Sequence, residues 1–353
     1  MKTELQNLVR GRLQFTRHVL LPGLLAGGIL AALVWAAGLQ SMREALRQMS
    51  VPGLALAVGA YALTWAFRTL RLRALTLHAG QRLGAWVLFR LYISALALNS
   101  LLPARIGDAA HVLYLHWQGL DLGRAVAIVV QSRVLDAAAL VLASLPALGV
   151  LMMAGQTPGW IASGLLLCAL FAVLPAAVVW LEARTRLSGF VEKLVFRRAN
   201  GLIKATLQTG QDIFAEYREI IQDRRLWVGT LAVSLAIILG EGLTGYLIAR
   251  AVGANVSFLA ALFAVALATI GKSATVTPGG IGVYEGVFAA VLTLFGASFD
   301  LALLVAILDH GLKKAFNVLI GLPATARQGP GRNSTVGSES TPKFVPEPER
   351  ARE

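Results

Sequence analysis

Apolar runs about as long as a bilayer is thick set the first limit on this chain. They fall near residues 19–39, 52–67, 84–102, 124–151, 159–181, 226–249, 257–271, 281–296 and 299–322. A helix rises about 1.5 Å per residue, so roughly 20 apolar residues cross the hydrocarbon core. Only 14% of the 353 residues are charged, against about 25% in soluble domains. Backbone groups in lipid must be satisfied within their own segment, which makes runs of this length helices. The expectation is an all-α polytopic integral membrane protein, with about six full spanning helices.

The net charge of +13 sits between the apolar runs. That placement points to cytoplasmic loops and anionic lipid headgroups, not to nucleic acid, and no nucleic-acid-binding module is visible. Lys2, Arg10, Arg12 and Arg17 precede a first run, Val19 to Leu39, that exceeds the roughly 7–15 residues of a signal-peptide core. It is expected to stay as the first helix. Residues 1–18 then form a cytoplasmic segment, 19–325 the membrane domain and 326–353 a disordered tail rich in Pro, Ser, Gly and charge. Arg68, Arg71, Arg73 and Arg82 read as a basic turn at 68–83. The loop 183–225, with nine Lys/Arg, is amphipathic through Phe190, Leu194, Val195, Ile203 and Leu207. It suits either the leaflet surface or a solvated linker helix. Lys313, Lys314 and Arg327 favour a cytoplasmic C-terminus.

Both basic connections face the cytoplasm only if 84–118 enters and leaves on one side. Its second arm, Arg105 to Gln118, is too short and polar to span. The second half offers two short arms, 257–271 and 281–296, around another break. Each half thus reads as helix, re-entrant broken hairpin, helix, the arrangement expected of an inverted-topology repeat.

Ionisable residues at membrane depth cost roughly 2.5–3.5 kcal/mol each at a helix centre, so each is a functional candidate. The first hairpin tip holds Asn99, Pro103, Arg105, Gly107 and Asp108. Pro103 breaks the helix, and the Arg105 fork suits phosphate; a structural Arg105–Asp108 pair is the plainer alternative. The second tip holds Thr277, Pro278, Gly279, Gly280 and Glu285, with Lys272 on the preceding arm. Its following half-helix points a positive dipole end at the break. Arg133 and Asp136 share a helix face and can pair, and Glu241 is a proton site or a cation's partner. These three are candidates for coupling or gating. Arg90, His111, His116, Asp309 and His310 are further ionisable groups without metal-ligand grouping. Cys168 reads as a small packing residue. No metal, cofactor or catalytic motif is expected.

Three stretches together resemble a known family: Asn99-Ser-Leu-Leu-Pro103-Ala-Arg105-Ile-Gly107-Asp108, Arg133-Val-Leu-Asp136 and Thr277-Pro-Gly-Gly280-Ile-Gly-Val-Tyr-Glu285. Over residues 15–325 the chain is similar to the transmembrane domain of lysylphosphatidylglycerol synthases and to stand-alone, flippase-like relatives. The resemblance implies movement of a lipid or lipid-linked molecule across the plasma membrane. Relatives are associated with aminoacylated phospholipids, hopanoids or polyprenyl-linked sugars. The synthases carry a soluble aminoacyl-transferase domain after the membrane part. Here a short polar stretch follows 299–322, so aminoacyl-tRNA-dependent activity is not expected.

The resulting expectation is a transporter whose two tips meet around an anionic headgroup. Arg105 and Lys272 would bind phosphate, while Asp108, Glu241 and Glu285 would couple protons or orient the cations. The rival readings are a membrane enzyme acting on a lipid phosphate and a scaffold for lipid or envelope biosynthesis. Expected partners are membrane lipids, with a second copy or a biosynthetic enzyme as further candidates.

Overall fold

The computed structural model describes residues 24–102, 105–155, 157–185, 201–273, 275, 277–326 and 328–329. The segment 1–18, most of the tail 326–353, residues 186–200 and Pro103 lie outside them. The described residues form helices and no strands: α1 (Leu24–Ala37), α2 (Leu39–Arg47), α3 (Val51–His78), α4 (Ala85–Leu101), α5 (Ile106–Trp117), α6 (Leu122–Met153), α7 (Gly159–Thr185), α8 (Gly201–Gln222), α9 (Arg224–Ala251), α10 (Phe258–Ser273), α11 (Val283–Leu294) and α12 (Phe299–Thr325). A one-turn 3₁₀ helix, Pro278–Gly280, precedes α11.

The all-α membrane architecture holds. Helices α3, α6 and α9 are long and apolar enough to cross a bilayer, and α1 with α2 would make a fourth span if counted as one. The α1–α2 pair is bent by 84° at Gly38, so the chain stays helical after the first run, as far as Arg47. With 27 residues each, α7 and α12 reach about 40 Å.

One sequence boundary is corrected. The expected basic turn at 68–83 is instead the continuation of α3, which runs to His78 and buries Arg68 and Arg71. Leu72 and Leu75 keep the apolar face going at helical spacing, and both are fully packed.

Hairpin arms are short, as anticipated. Helices α5 and α11 have 12 residues each, about 18 Å, and cannot cross a core of about 30 Å. Gln81, just before α4, donates from Nε2 to the carbonyl of Gly119, just after α5, at 3.0 Å. The two ends of that hairpin therefore lie on one side.

The halves repeat, and they do so inverted. Helices α3 and α9 have 28 residues each and begin 173 positions apart. The same offset separates the starts of α4 and α10. After the longer second tip the offset becomes 177, for α5 and α11 at both ends and for the starts of α6 and α12. Even the caps correspond: Ser50 accepts from the Gly53 N–H, and Asp223 from the Leu226 N–H.

Helix α3 packs antiparallel to α9. Its start meets the end of α9 through Ser50 N–H to the Ala251 carbonyl at 2.8 Å, and its end meets the start of α9 where His78 lies 3.5 Å from Asp223. Helix α4 packs on α12, and its counterpart α10 packs on α6. This exchange of partners is what a two-fold relation between halves requires.

Apolar packing crosses the halves. One core joins α3 to α6 around Leu72, Leu88, Leu115 and Ile128, and another gathers α10 to α12 around Phe263, Phe288 and Val305 together with Ala57, Leu151 and Leu165 of the first half. Helix α8 docks on the first core through Tyr217 and Ile220, with Glu216 accepting from Arg124 at 2.9 Å. The stretch of the 183–225 loop from Phe214 to Ile221 is thus packed on protein.

Candidate functional site

Two broken tips create the site because neither can continue as helix. Arg105 caps α5 at φ 55, a left-handed conformation that costs a residue with a side chain about 1–2 kcal/mol. In the second tip Gly279 and Gly280 have φ of 58 and 75. A Cβ at Gly279 would strike the Lys314 side chain, and one at Gly280 would strike Lys272. The glycines let two lysines close on the tip from α10 and α12.

The tips meet. Lys314 Nζ lies 3.4 Å from the Ser100 carbonyl of the first hairpin and 3.3 Å from the Pro278 carbonyl of the second. Between them opens a cavity of about 550 Å³, within the roughly 300–1,000 Å³ typical of small-ligand sites. Its walls include Asn99, Arg105, Arg133, Asp136, Glu241, Lys272, Thr277, Gly279 and Gly280, all expected from sequence.

Four other expected residues stand behind the wall. Gly107 packs against α4, where an added Cβ would fall 2.6 Å from Asn99 Oδ1. Asp108 accepts from Asn99 at 2.9 Å and from Arg133 at 2.7 Å. Glu285 accepts from the Gly282 N–H at 2.7 Å, capping α11, and lies 2.7 Å from His310 Nδ1. Pro278 offers its carbonyl to Lys314. Pro103 falls outside the described residues.

Each half fixes its tip with an ion-pair chain. In the first, Arg133 bridges Asp108 and Asp136, and Asp136 accepts from Arg71 at 2.5 Å. Arg71 donates onward to Ser234 at 2.8 Å and Tyr92 at 3.0 Å, so α3, α4, α5, α6 and α9 are tied together. In the second, Tyr284 donates to Asp309 at 2.6 Å, and Lys313 pairs with Asp309 at 2.9 Å. Between the halves Arg68 pairs with Glu241, making Glu241 a cation's partner.

Sequence reading missed Arg68, Arg71, Lys313 and Lys314 as site residues, because positive charges flanking apolar runs were assigned to the cytoplasm. Lys313 is 5% exposed and Arg71 1% exposed, so neither is a loop charge. The signal available was helical spacing: Arg68 with Arg71, and Asp309 with Lys313, recur on one face.

The cavity wall carries six arginines and lysines (Arg68, Arg105, Arg133, Lys272, Lys313, Lys314) against two carboxylates (Asp136, Glu241). Among the described residues Lys272 and Lys314 have no carboxylate within ion-pair distance; Lys272 Nζ lies 4.9 Å from the Tyr284 ring centre. The far wall is apolar, built from Leu140 on α6, Leu167, Cys168 and Phe171 on α7, Ile238 on α9 and Ile270 on α10. Leu167 and Phe171 are more than half exposed at the protein's outer face. One cavity therefore joins a cationic end to an apolar flank open to the surroundings of α7.

The family model described as "Lysylphosphatidylglycerol synthase TM region" matches residues 19–321. No curated protein matched the chain.

Proposed function

Given that this chain belongs to the lysylphosphatidylglycerol synthase TM region family, a group of membrane proteins concerned with lipids, we propose that it moves an anionic lipid or lipid-linked molecule across the plasma membrane. The observation that carries this reading is the pairing, in one cavity, of two carboxylate-free lysines with an apolar wall reaching the outer face of α7. A headgroup phosphate takes charge-assisted hydrogen bonds from Lys272, Lys314 and the Arg105 fork. Acyl chains stay along α7 and in lipid, so they are never transferred through a polar interior.

The inverted repeat supplies the motion. Rocking one half against the other about the α3–α9 contact would expose the tips first to one side and then to the other. His78, Arg124, Arg224 and Arg225 gather where α3 ends and α6 and α9 begin, which favours that end as cytoplasmic. The termini then lie inside. The reading includes no chemical conversion of the lipid.

The test is reconstitution into liposomes with a panel of labelled anionic, zwitterionic and cationic lipids, scored by accessibility of the label to a membrane-impermeant quencher. Anionic lipids should reorient above the empty-vesicle rate. Equal rates in protein-free and protein-containing vesicles for every lipid would refute the proposal. Product formation in detergent would instead favour an enzyme.

A further inference from the structure

The two halves place the same kind of acid–base pair at corresponding positions but build it from different side chains. Asp108 and Glu285 are the third residues of α5 and α11. Each pairs at 2.7 Å with a base 25 residues on, Arg133 in one half and His310 in the other. The offset of 177 that relates α6 to α12 carries Arg133 onto His310 and Asp136 onto Lys313.

Charge balance then differs. In the first half Arg71, Arg105 and Arg133 face Asp108 and Asp136, so guanidiniums balance both carboxylates and no further proton is called for. In the second half Glu285 and Asp309 face one fixed cation, Lys313. Counting only the groups within ion-pair distance, that cluster sums to zero when the His310–Glu285 pair holds an extra proton. Both members of the pair are buried (side chains 4% and 5% exposed), and Asp309 Oδ1 is buried without a hydrogen-bond partner among the described residues. A free imidazole changes charge near neutral pH, so the surroundings of His310 decide whether the pair holds the proton.

His310 also lies on the wall of the cavity, with Lys272 and Lys314. The groups facing it are Glu285 and the Tyr284 ring from α11, Lys272 from α10, and Asp309, Lys313 and Lys314 from α12. The mutually paired Arg68 and Glu241 come from α3 and α9. Helix α4 brings Asn99 and Ser100; its one charged residue, Arg90, lies ten positions before Ser100. The α2 helix also packs on α12; its charged residues are Arg43, Glu44 and Arg47. While the cavity is empty, the ammonium groups of Lys272 and Lys314 oppose a further positive charge at His310. An anion bound between them removes that opposition.

We propose that the His310–Glu285 pair is a proton-binding site coupled to the anion cavity, so that one proton enters with each phosphate-bearing ligand and transport is anion–proton symport. This rests on the anion-binding reading given above. The coupling is reciprocal: the proton strengthens anion binding as much as the anion strengthens proton binding.

The experiment uses the purified full chain in detergent with dihexanoyl phosphatidylglycerol, a phosphodiester that keeps a single charge across the range tested. Calorimetric titrations in buffers of different ionisation heat count protons taken up per anion bound, and binding is repeated between pH 5.5 and 9. Uptake of about one proton is expected, with affinity falling up to about tenfold per pH unit on the alkaline side. In His310→Arg, which installs the first half's solution, and in Glu285→Gln, uptake should vanish and affinity should become flat with pH.

Tight binding by wild type with no proton uptake and no pH dependence overturns the proposal, as does undiminished uptake in His310→Arg. The wild-type measurement stands even if a variant fails to fold. Absence of anion binding at any pH strikes the transport reading itself. Glycerophosphoglycerol, the same phosphodiester without acyl chains, identifies the anion's source. Proton-linked binding of the lipid alone supports a lipid substrate; equal binding of both supports the proton site with a soluble anion.

Discussion

Removing Glu241 isolates a buried ion pair between the two halves. Arg68 and Glu241 are 173 positions apart, the offset that relates α3 to α9, so the pair sits where the two-fold relation maps one residue onto the other. Both side chains are at least nine-tenths buried, at 8% and 10% exposure. Glu241→Leu leaves the Arg68 guanidinium in the protein interior without its carboxylate. Loss of one partner from such a pair costs about 3–5 kcal/mol. Replacing both, as in Arg68→Met with Glu241→Leu, removes the stranded charge and should return stability to within about 1 kcal/mol of wild type. Unfolding in mixed micelles, followed by helical ellipticity against denaturing detergent fraction, measures all three variants. The coupling energy of the cycle should be about 3 kcal/mol or more. A cost near the 0–1 kcal/mol of a solvated surface pair, or additive single-variant effects, would show that water in the cavity solvates Arg68 and that the pair does not hold the halves together.

Three further outcomes follow from the geometry. Gly321→Ala should destabilise by about 1–3 kcal/mol, since its Cβ would fall 2.7 Å from Ala97 Cβ where α12 lies on α4; a thermal melt in detergent within 1 °C of wild type would contradict this. Lys272→Gln and Lys314→Gln should each weaken anion binding roughly 10- to 100-fold, the scale of one charge-assisted hydrogen bond, as read by the same calorimetry; unchanged affinity in both would place the anion elsewhere. The Asp223 carboxyl, outside the membrane, is held below its ordinary range chiefly by the Leu226 N–H. A lowered carboxyl pKa stabilises above the unfolded value and loses that contribution as pH falls through the folded one. Exchange of the Leu226 amide should therefore quicken, after correction for intrinsic rates, when pH drops through the acidic carboxylate range, and Asp223→Asn should flatten the effect.

Much of this architecture was legible in the chain itself. The short arms at 257–271 and 281–296, and the polar stretch after Arg105, pointed to two hairpins because length alone forbids them from spanning. The tip residues Arg105, Lys272, Gly279 and Gly280 were found by the same logic, since charge and glycine are out of place at membrane depth. What stayed hidden was which charges lie in membrane and which lie in water. Arg68 and Arg71 looked like loop residues because an apolar run had just ended, yet the helix continued and their partners, Glu241 and Asp136, lie 173 and 65 residues away. Long-range pairing leaves no local mark. Lys314 reaches both tips only once α12 is packed on α4, a fact of tertiary structure that hydropathy cannot carry.

Opposite charge at the Arg68–Glu241 position has a consequence for how the chain can be built. Two identical copies of either half, assembled about the same axis, would set arginine against arginine or glutamate against glutamate at this position. Neither homodimer could close without burying like charges against each other. If the chain is severed between α7 and α8 and the fragments are produced together, only the mixed assembly should form, and swapping the charges at both positions should leave that preference intact.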